Sequence, residues 1–350
     1  MSKTPISVMT GLRRVLGAGA AAVVLILCGC TAQPQDCARS SVQCVGLVTG
    51  FGSIEAGLAH EAWLGLQDAK AEGLIQRADF IETIDTRDRA ANIRTFTDQG
   101  YDLVVTVGAG IAEETIAAAQ DHPELHFVTL QPPSSAASTP ENMVALMFHE
   151  EDSGFVAGAA AGMVTRTGHV AAICEAKFID SVRRYCEGFR SGATYADPSA
   201  HVDVFFRSGP ADLLFRDLDW GKATAERAVR EGADVVFAVG EETAGAALEA
   251  AAARGALVIG AETDIYASQP DVRSQLVTSA ILDARSSVLA LIRLAVNGQF
   301  PKGVFWGSVG LAPYQTYENV LTTAEITKLE GILRELEQRT IDVGVPYDGP

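Results

Sequence analysis

Short apolar segments alternate with longer segments of helical periodicity from about residue 45 to the end of the chain. The short segments are rich in valine, isoleucine and leucine, which is typical of strands that are buried on both faces. In the longer segments apolar residues recur every three or four positions, which is typical of helices. The predicted strands are 45–49, 80–84, 102–107, 126–130, 143–148, 169–174, 202–206, 234–239, 256–260 and 305–310. The predicted helices are 56–73, 88–99, 111–121, 150–166, 179–193, 221–231, 243–254, 280–296 and 323–340.

This order of elements predicts an α/β protein with two copies of one parallel-sheet unit. Segments 100–108 and 232–240 share a pattern in which a glycine ends a helix, a buried strand follows and a second glycine opens the next helix. In open parallel sheets, ligands bind beyond the carboxyl ends of the strands. Two units that face each other at those ends form a ligand cleft that closes by hinge motion.

The predicted domain organisation follows from a return of the chain to its first unit, because a helix and a strand are predicted again after residue 280. The first lobe is expected to contain residues 45–150 and 280–320, and the second lobe residues 151–279 with the hinge crossings. A C-terminal helix and tail are expected over residues 321–350.

The N-terminal segment has the pattern of a secretory signal. Arg13 and Arg14 precede a short apolar run, which ends in Leu27-Cys28-Gly29-Cys30. These four residues resemble a bacterial lipobox, which implies a lipoprotein signal peptide over residues 1–29 and diacylglycerol on Cys30. Residues 30–44 are then a lipidated linker, and the body of the protein is expected outside the cytoplasm, anchored to the cell membrane by lipid alone. An ordinary signal peptide that happens to contain cysteine is the alternative.

Composition and charge exclude several classes of protein. Apolar residues make up 48% of the 350 residues and charged residues 20%, which is the composition of a globular protein and not of a disordered one. Lysine and arginine total 27 against 44 aspartate and glutamate residues, so the formal net charge is −17. Because such an acidic surface repels phosphate backbones, nucleic acid is not an expected partner.

Four cysteines remain beyond the N-terminal segment, namely Cys37, Cys44, Cys174 and Cys186. In an oxidising compartment they suggest two disulfides, and four cysteines allow three connectivities. The local pairs Cys37–Cys44 and Cys174–Cys186 are the expected ones. Neither pair has the spacing of a zinc site, and the six histidines are scattered, so no metal site is expected.

No catalytic motif stands out. Segments 50–55 and 108–110 each contain two glycines but lack the third glycine of a dinucleotide fingerprint, and no Gly-x-Ser-x-Gly elbow occurs. Three acidic pairs lie near predicted helix starts, where the helix dipole favours negative charge. These pairs are Glu113-Glu114, Glu150-Glu151 and Glu241-Glu242. The sequence therefore predicts no cofactor, and an enzyme, which would need an activated water beside paired carboxylates, stays an alternative.

A more specific resemblance comes from a set of motifs that occur in order over most of residues 45–315. They are 46–48 (Gly-Leu-Val), 62–66 (Ala-Trp-Leu-Gly-Leu), 98–103 (Asp-Gln-Gly-Tyr-Asp-Leu), 123–127 (Pro-Glu-Leu-His-Phe), 155–158 (Phe-Val-Ala-Gly), 188–192 (Gly-Phe-Arg-Ser-Gly), 232–236 (Gly-Ala-Asp-Val-Val), 260–264 (Gly-Ala-Glu-Thr-Asp) and 278–279 (Thr-Ser). Together they resemble the basic membrane protein family, lipoprotein substrate-binding components of ABC transporters that include purine-nucleoside receptors. The resemblance implies a type I periplasmic-binding fold with two Rossmann-like lobes, no enzymatic activity, and an ABC permease and ATPase as partners.

The resemblance also implies where ligand residues lie. Asp264 corresponds to the family's aspartate that holds the ribose hydroxyls, and a helix cap is the alternative role for it. Glu55 and Gln131 stand near positions where the family has aspartate. Segment 57–59 (Gly-Leu-Ala) replaces the family's Ser-Phe-Asn, and Leu282 replaces a lysine, so a stacking aromatic and two polar donors are missing.

The expected ligand set combines aromatic stacking with hydrogen bonds. Its members are Phe51, Glu55, Gly108, Gln131, Phe178, Gly240, Glu241 and Asp264. Phe51 or Phe178 would stack on a ring, and the loop amides at the two glycines would donate. The expected ligand is a small polar solute of the nucleoside type. A solute that is not a nucleoside, or a sensory receptor without a transport role, are the alternatives.

Overall fold

The computed structural model describes residues 37–38, 43–132, 139–314 and 320–346, and it contains two parallel-dominated sheets. The strands are β1 (Cys44–Thr49), β2 (Arg77–Ile81), β3 (Leu103–Val107), β4 (His126–Leu130), β5 (Met143–Met147), β6 (His169–Cys174), β7 (His201–Phe206), β8 (Val235–Val239), β9 (Leu257–Glu262), β10 (Leu276–Leu282), β11 (Gly303–Trp306) and β12 (Val309–Leu311). The first sheet has the order β11-β5-β4-β3-β1-β2, and the second has the order β12-β10-β9-β8-β6-β7. Each pairing is parallel except the one between β10 and β12.

Helices connect the strands and cover both sheets. They are α1 (Gly57–Ala71), α2 (Arg89–Asp98), α3 (Ala112–Asp121), α4 (Glu150–Val164), α5 (Asp180–Ala196), α6 (Leu218–Glu231), α7 (Glu241–Ala252), α8 (Ile265–Ser268), α9 (Ala284–Val296) and α10 (Thr323–Glu337). We call each sheet with the helices packed on it a lobe. The strand order β5-β4-β3-β1-β2 of the first lobe recurs as β10-β9-β8-β6-β7 in the second. The duplication predicted from segments 100–108 and 232–240 is therefore confirmed as a doubly wound topology.

The described chain crosses between the lobes at three places. The crossings follow β5, β10 and β11, at residues 148–149, 283 and 307–308 respectively. They are joined to one another, since the Asp283 amide donates to the Ser308 carbonyl at 2.9 Å and the Gly307 amide donates to the Met147 carbonyl at 2.8 Å. The crossings therefore form one connected hinge region.

Two elements near these crossings differ from the sequence prediction. Segment 280–296 was expected to be one helix, but β10 continues to Leu282 and α9 begins only at Ala284. Segment 305–310 was expected to be one strand, but it contributes β11 to the first sheet and β12 to the second. Residues 280–282 and 309–311 thus lie in the second sheet, although 280–320 was assigned to the first lobe. Residues 280–282 are as apolar as the helix that follows them, which concealed the first break, and the second break falls at Gly307-Ser308.

Helices α4 and α5 approach each other closely because glycines face carbonyl groups across their contact. A Cβ atom at Gly158 would lie 2.0 Å from the Phe189 carbonyl oxygen, and one at Gly192 would lie 1.8 Å from the Phe155 carbonyl oxygen. Only glycine leaves room for that approach. The helix expected at 150–166 is α4, and it packs within the second lobe with its first turn beside Gln131 of the cleft.

Both expected disulfides are present. Cys37 bonds to Cys44 and Cys174 bonds to Cys186, with Cα–Cα distances of 5.7 and 6.5 Å. The second bond ties the carboxyl end of β6 to α5. The predicted signal peptide at 1–29, Cys30 and most of the 30–44 linker lie outside the described residues. Among the described residues, no helix combines the length and apolarity needed to cross a bilayer.

The C-terminal helix α10 is amphipathic, as the sequence predicts. Leu329, Ile332 and Leu336 are buried, and the helix packs against α4. At its start, Thr322 and Glu325 form a capping box in which each side chain accepts from the other residue's amide. The helix thus covers the second lobe near the hinge.

Candidate functional site

A cleft of about 560 Å³ lies between the two lobes, at the carboxyl ends of their strands. The first lobe lines it with Thr49, Phe51, Ser53, Ala56, Gly57, Leu58, Ala59, Val107, Gly108 and Gln131. The second lobe lines it with Ala238, Val239, Gly240, Glu241, Glu242, Ala244, Gly245, Leu248, Ala261, Glu262, Thr263, Ile265, Ser268 and Gln269. The volume lies within the range of small-molecule sites in proteins.

The first-lobe wall is held in place by Arg89 at the start of α2. Its Nε donates to the Gly50 carbonyl at 2.7 Å, and its Nη1 donates to the Gly110 carbonyl. One guanidinium group therefore joins the loop after β1 to the loop after β3. Thr49 adds a third contact, since its hydroxyl donates to the Gly52 carbonyl at 2.7 Å. The loops that carry Phe51 and Gly108 are thus fixed relative to each other.

The second-lobe wall is held in place by Glu175, which is fully buried directly after β6. Its carboxylate pairs with Arg207 at 3.3 Å and accepts from the Phe215 amide at 2.9 Å and the Thr243 hydroxyl at 3.1 Å. Thr243 lies in the first turn of α7. The buried carboxylate therefore fixes the start of α7, where Glu241 faces the cleft.

Two helices begin at the cleft without a side-chain cap. The N-cap residue of α1 is Ala56 and that of α7 is Gly240, and neither offers an oxygen to the amides of the first turn. These N–H groups have no partner within their own helix. Apart from the Thr243 amide, which donates to the Phe215 carbonyl at 3.2 Å, they are donors suited to polar oxygens of a ligand.

Three cleft residues have a strained backbone. Gln131, Glu241 and Glu262 have φ angles of 49°, 47° and 69°, which side chains other than glycine rarely adopt. Each lies at the carboxyl end of a strand, in the cleft lining. Such strain concentrates at functional sites, where the surrounding structure holds it in place. These backbone conformations place the three polar side chains in the cleft lining.

A buried ion-pair network lies beneath Gln131. The Gln131 amide donates to Glu150 at 3.3 Å, and Glu150 pairs with Arg184 of α5. The same guanidinium group pairs with Glu151 at 2.7 Å and with Asp180 at 3.0 Å. Burial raises the pKa of Glu150 to about 7, and the opposing attraction of Arg184 does not cancel that effect.

The carboxylates of the second-lobe wall affect one another. Burial raises the pKa of Glu262 to about 7, and the charges of Glu241 and Glu150 act in the same direction. Burial also raises the pKa of Glu241, with further contributions from Glu242 and Glu175. Among the described residues that line the cleft, no lysine, arginine or histidine balances these acids. Above about pH 7 the wall therefore has an excess of hydrogen-bond acceptors and negative potential.

Five of the eight predicted ligand residues line the cleft together: Phe51, Gly108, Gln131, Gly240 and Glu241. The other three, Glu55, Phe178 and Asp264, do not line it. Asp264 instead caps α8, because its Oδ1 accepts from the Tyr266 amide at 3.0 Å. Glu55 is exposed in the loop before α1, and Phe178 is 78% exposed in the turn after β6.

Other cleft residues escaped the sequence analysis as ligand candidates. Glu262 lines the cleft where Asp264 was expected, and Glu242 lies beside Glu241. Gln269 also lines the cleft, and its amide oxygen is buried without a hydrogen-bond partner among the described residues.

A comparison with protein-family models decides what this two-lobed cleft belongs to. Residues 52–309 match the model described as "ABC transporter substrate-binding protein PnrA-like". The chain belongs to this family. The matched range contains most of both sheets and most of the cleft lining, although β1, Thr49 and Phe51 precede it, so the resemblance to the basic membrane proteins is confirmed. The members of this family are substrate-binding proteins of ABC transporters.

Relatives of this PnrA-like protein are distant in sequence. The "ABC transporter nucleoside-binding protein BmpA" of Lactococcus lactis subsp. cremoris is 25% identical over 234 residues, and the alignment covers 64% of each chain. The "CD4+ T-cell-stimulating antigen" of Listeria monocytogenes is 25% identical over 295 residues, covering 77% of this chain and 80% of the relative. The chain thus spans less than two thirds of the lactococcal relative's length.

Solved structures with the same fold confirm the type I periplasmic-binding architecture. A solute-binding protein of an ABC transporter system from Conexibacter woesei superposes with a TM-score of 0.73 at 20% identity, covering 88% of this chain and all of that one. One from Aeropyrum pernix superposes with a TM-score of 0.67 at 18% identity, covering 86% and 92%. At these identities the likeness concerns the fold alone.

Proposed function

We propose that the protein is the lipid-anchored, extracytoplasmic receptor of an ABC importer, and that it encloses an uncharged, nucleoside-like solute in the cleft. The observation that carries the ligand class is the charge of the lining. Glu241, Glu242 and Glu262 face the cleft, and no cationic side chain joins them among the lining residues that the structure describes. A phosphate group would meet like charges there, whereas ribose or base donors would meet acceptors.

The remaining groups of the cleft match such a ligand. The Phe51 ring is 71% exposed on the first-lobe wall, where it can stack on a base. The buried amide oxygen of Gln269 accepts no hydrogen bond from the described residues. An N–H or O–H group of the ligand would donate one to it. The uncapped amides of α1 and α7 would bind the oxygens of the solute.

Isothermal titration calorimetry with pairs of ligands tests the ligand class. Each common nucleoside is compared with its own 5′-monophosphate, so that base and ribose remain constant while charge changes. We expect heat of binding for at least one nucleoside and binding at least about tenfold weaker for its monophosphate, which corresponds to about 1.4 kcal/mol. Absence of heat with every nucleoside contradicts the nucleoside assignment. Equal affinity for the phosphorylated partner contradicts the argument from charge.

The anchor and the importer role have separate tests. Mass spectrometry of the protein from membranes should show diacylglycerol on Cys30, and Cys30→Ser should release the protein from the membrane fraction. Cells lacking the gene should lose uptake of the radiolabelled solute that binds in calorimetry. Normal uptake in those cells would favour a sensory role.

A further inference from the structure

Three metal-ligating side chains meet at the edge of the second sheet opposite the cleft. His169 is the first residue of β6 and His201 is the first residue of β7. The parallel register pairs these two residues directly, so their side chains lie on the same face. Asp203 follows His201 by two positions along β7 and therefore shares that face. The register thus joins residues that lie 32 positions apart in the chain.

The distances suit a small cation. Asp203 Oδ2 lies 2.9 Å from His169 Nε2, and Asp203 Oδ1 lies 3.4 Å from His201 Nε2. The ligand atoms of the three residues lie within 4.8 Å of one another. Tetrahedral Zn²⁺ with bonds of about 2.0–2.2 Å holds its ligand atoms about 3.3 Å apart. Small side-chain rotations are enough to bring all three groups onto one ion.

We propose that His169, His201 and Asp203 form a binding site for a divalent transition-metal ion of the Zn²⁺ type. Two imidazoles and one carboxylate favour Zn²⁺ over Ca²⁺ or Mg²⁺, which prefer an all-oxygen ligand set. Three protein ligands leave a fourth position for water, so the ion exchanges with solvent. The exposure of the side chains agrees with this arrangement. The His201 side chain is 67% exposed and gives entry, whereas that of His169 is 14% exposed and anchors the site.

The site is separate from solute capture. It lies at the amino ends of β6 and β7, whereas the cleft lies at the carboxyl ends of the strands. Strand β7 forms the outer edge of the second sheet, next to β6. A bound ion would therefore link the edge strand to its neighbour and stabilise the second lobe. No metal site was expected from the sequence, because the strand register that joins the two histidines cannot be read from it.

Calorimetry with Zn²⁺ alone tests the proposal on the full chain after removal of metal with a chelator. We expect one Zn²⁺ per chain, with binding at least tenfold weaker in His201→Ala and in Asp203→Asn. His201 is exposed on an edge strand, so its replacement leaves the fold intact, which circular dichroism verifies. A matched control is His122→Ala. His122 also lies near a carboxylate, at 3.4 Å from Glu124, but it belongs to no such three-residue group among the described residues.

A second readout reports the coordination itself. Co²⁺ in the wild-type protein should give the intense visible absorption of a four-coordinate ion, and His201→Ala should lose it. Absence of Zn²⁺ binding overturns the proposal. It is also overturned if the His201 and Asp203 variants bind Zn²⁺ as tightly as the wild type, or if His122→Ala weakens binding to the same extent.

Discussion

The two walls of the cleft have the same scaffold and opposite chemistry. Each wall consists of loops that follow parallel strands in one repeated strand order. The first-lobe wall presents Phe51, the small or apolar segment 56–59 and the neutral Gln131. The second-lobe wall presents Glu241, Glu242 and Glu262. Duplication of a sheet therefore fixes where a ligand binds, while the loops decide what each half of the ligand meets.

The difference assigns a separate role to each wall. The neutral wall offers a ring face and apolar surface, which suits stacking of a planar base. The acidic wall offers charged acceptors, which form stronger hydrogen bonds with donors than neutral groups do. Recognition of hydroxyl or amine donors should accordingly depend on the second lobe, and the four predictions that follow test this division.

The largest effect is expected on stability, at the contact between α4 and α5 in the second lobe. Gly158→Ala places a Cβ atom 2.0 Å from the Phe189 carbonyl oxygen and forces α4 away from α5. We expect a loss of about 3 kcal/mol in the free energy of unfolding, measured by urea denaturation. Gly331→Ala in α10 is the matched control, because nothing lies within 4 Å of its added Cβ atom. That variant should be as stable as the wild type or slightly more stable. Equal stability of both variants would contradict the close packing of α4 against α5.

The next effect concerns solute binding by the acidic wall. At pH 8, above the pKa of about 7, Glu262→Gln removes a charged acceptor from the cleft and should weaken nucleoside binding by about 2 kcal/mol, or about thirtyfold. Glu55→Gln is the control, since Glu55 was expected to bind the ligand but does not line the cleft. Calorimetry of both variants compares the two positions directly. If Glu55→Gln causes the larger loss, the ligand lies elsewhere.

Glu262 and Asp264 show which features of the site follow from the sequence and which do not. The repeated βα order, the cleft between the lobes and both disulfides follow from local patterns in the sequence. The hydrogen-bond partner of an acidic side chain does not follow from such patterns. Asp264 matches the family's ligand residue, yet its carboxylate accepts from the Tyr266 amide two residues later and caps a short helix. Glu262 lines the cleft with a backbone φ of 69°. Residue propensities do not predict that conformation for a glutamate.

Long-range register is the other part that the sequence does not reveal. His169 and His201 are unremarkable as single residues, and only the pairing of β6 with β7 brings them together. Similarly, β10 was hidden within an apolar segment that continues into α9, because a buried parallel strand and a buried helix have the same composition. Tertiary pairing decides both cases.

A smaller effect is expected at the neutral wall. Phe51→Ala removes the exposed ring and should weaken nucleoside binding by about 1.5 kcal/mol through lost stacking. Phe178→Ala is the matched control, since Phe178 is equally exposed but does not line the cleft. Affinities for a nucleoside and for free ribose separate the contributions, because ribose has no base to stack. Loss of ribose binding in Phe51→Ala would contradict a stacking role.

The smallest effect concerns the pH dependence of stability. Burial raises the pKa of Glu262 from 4.5 to about 7 in the folded protein, so the folded state binds a proton there more tightly than the unfolded state does. Its contribution to stability is complete below about pH 4.5 and disappears as the pH rises through 7. Glu262→Gln cannot ionise, and it should be more stable than the wild type by about 1 kcal/mol at pH 8 and equal to it at pH 4.5. The value is less than the full shift implies at 1.36 kcal/mol per unit, because Glu262 is only partly buried and solvent screens its charge. Urea denaturation at both pH values measures the difference, and a gain of equal size at both would show that Glu262 remains charged throughout.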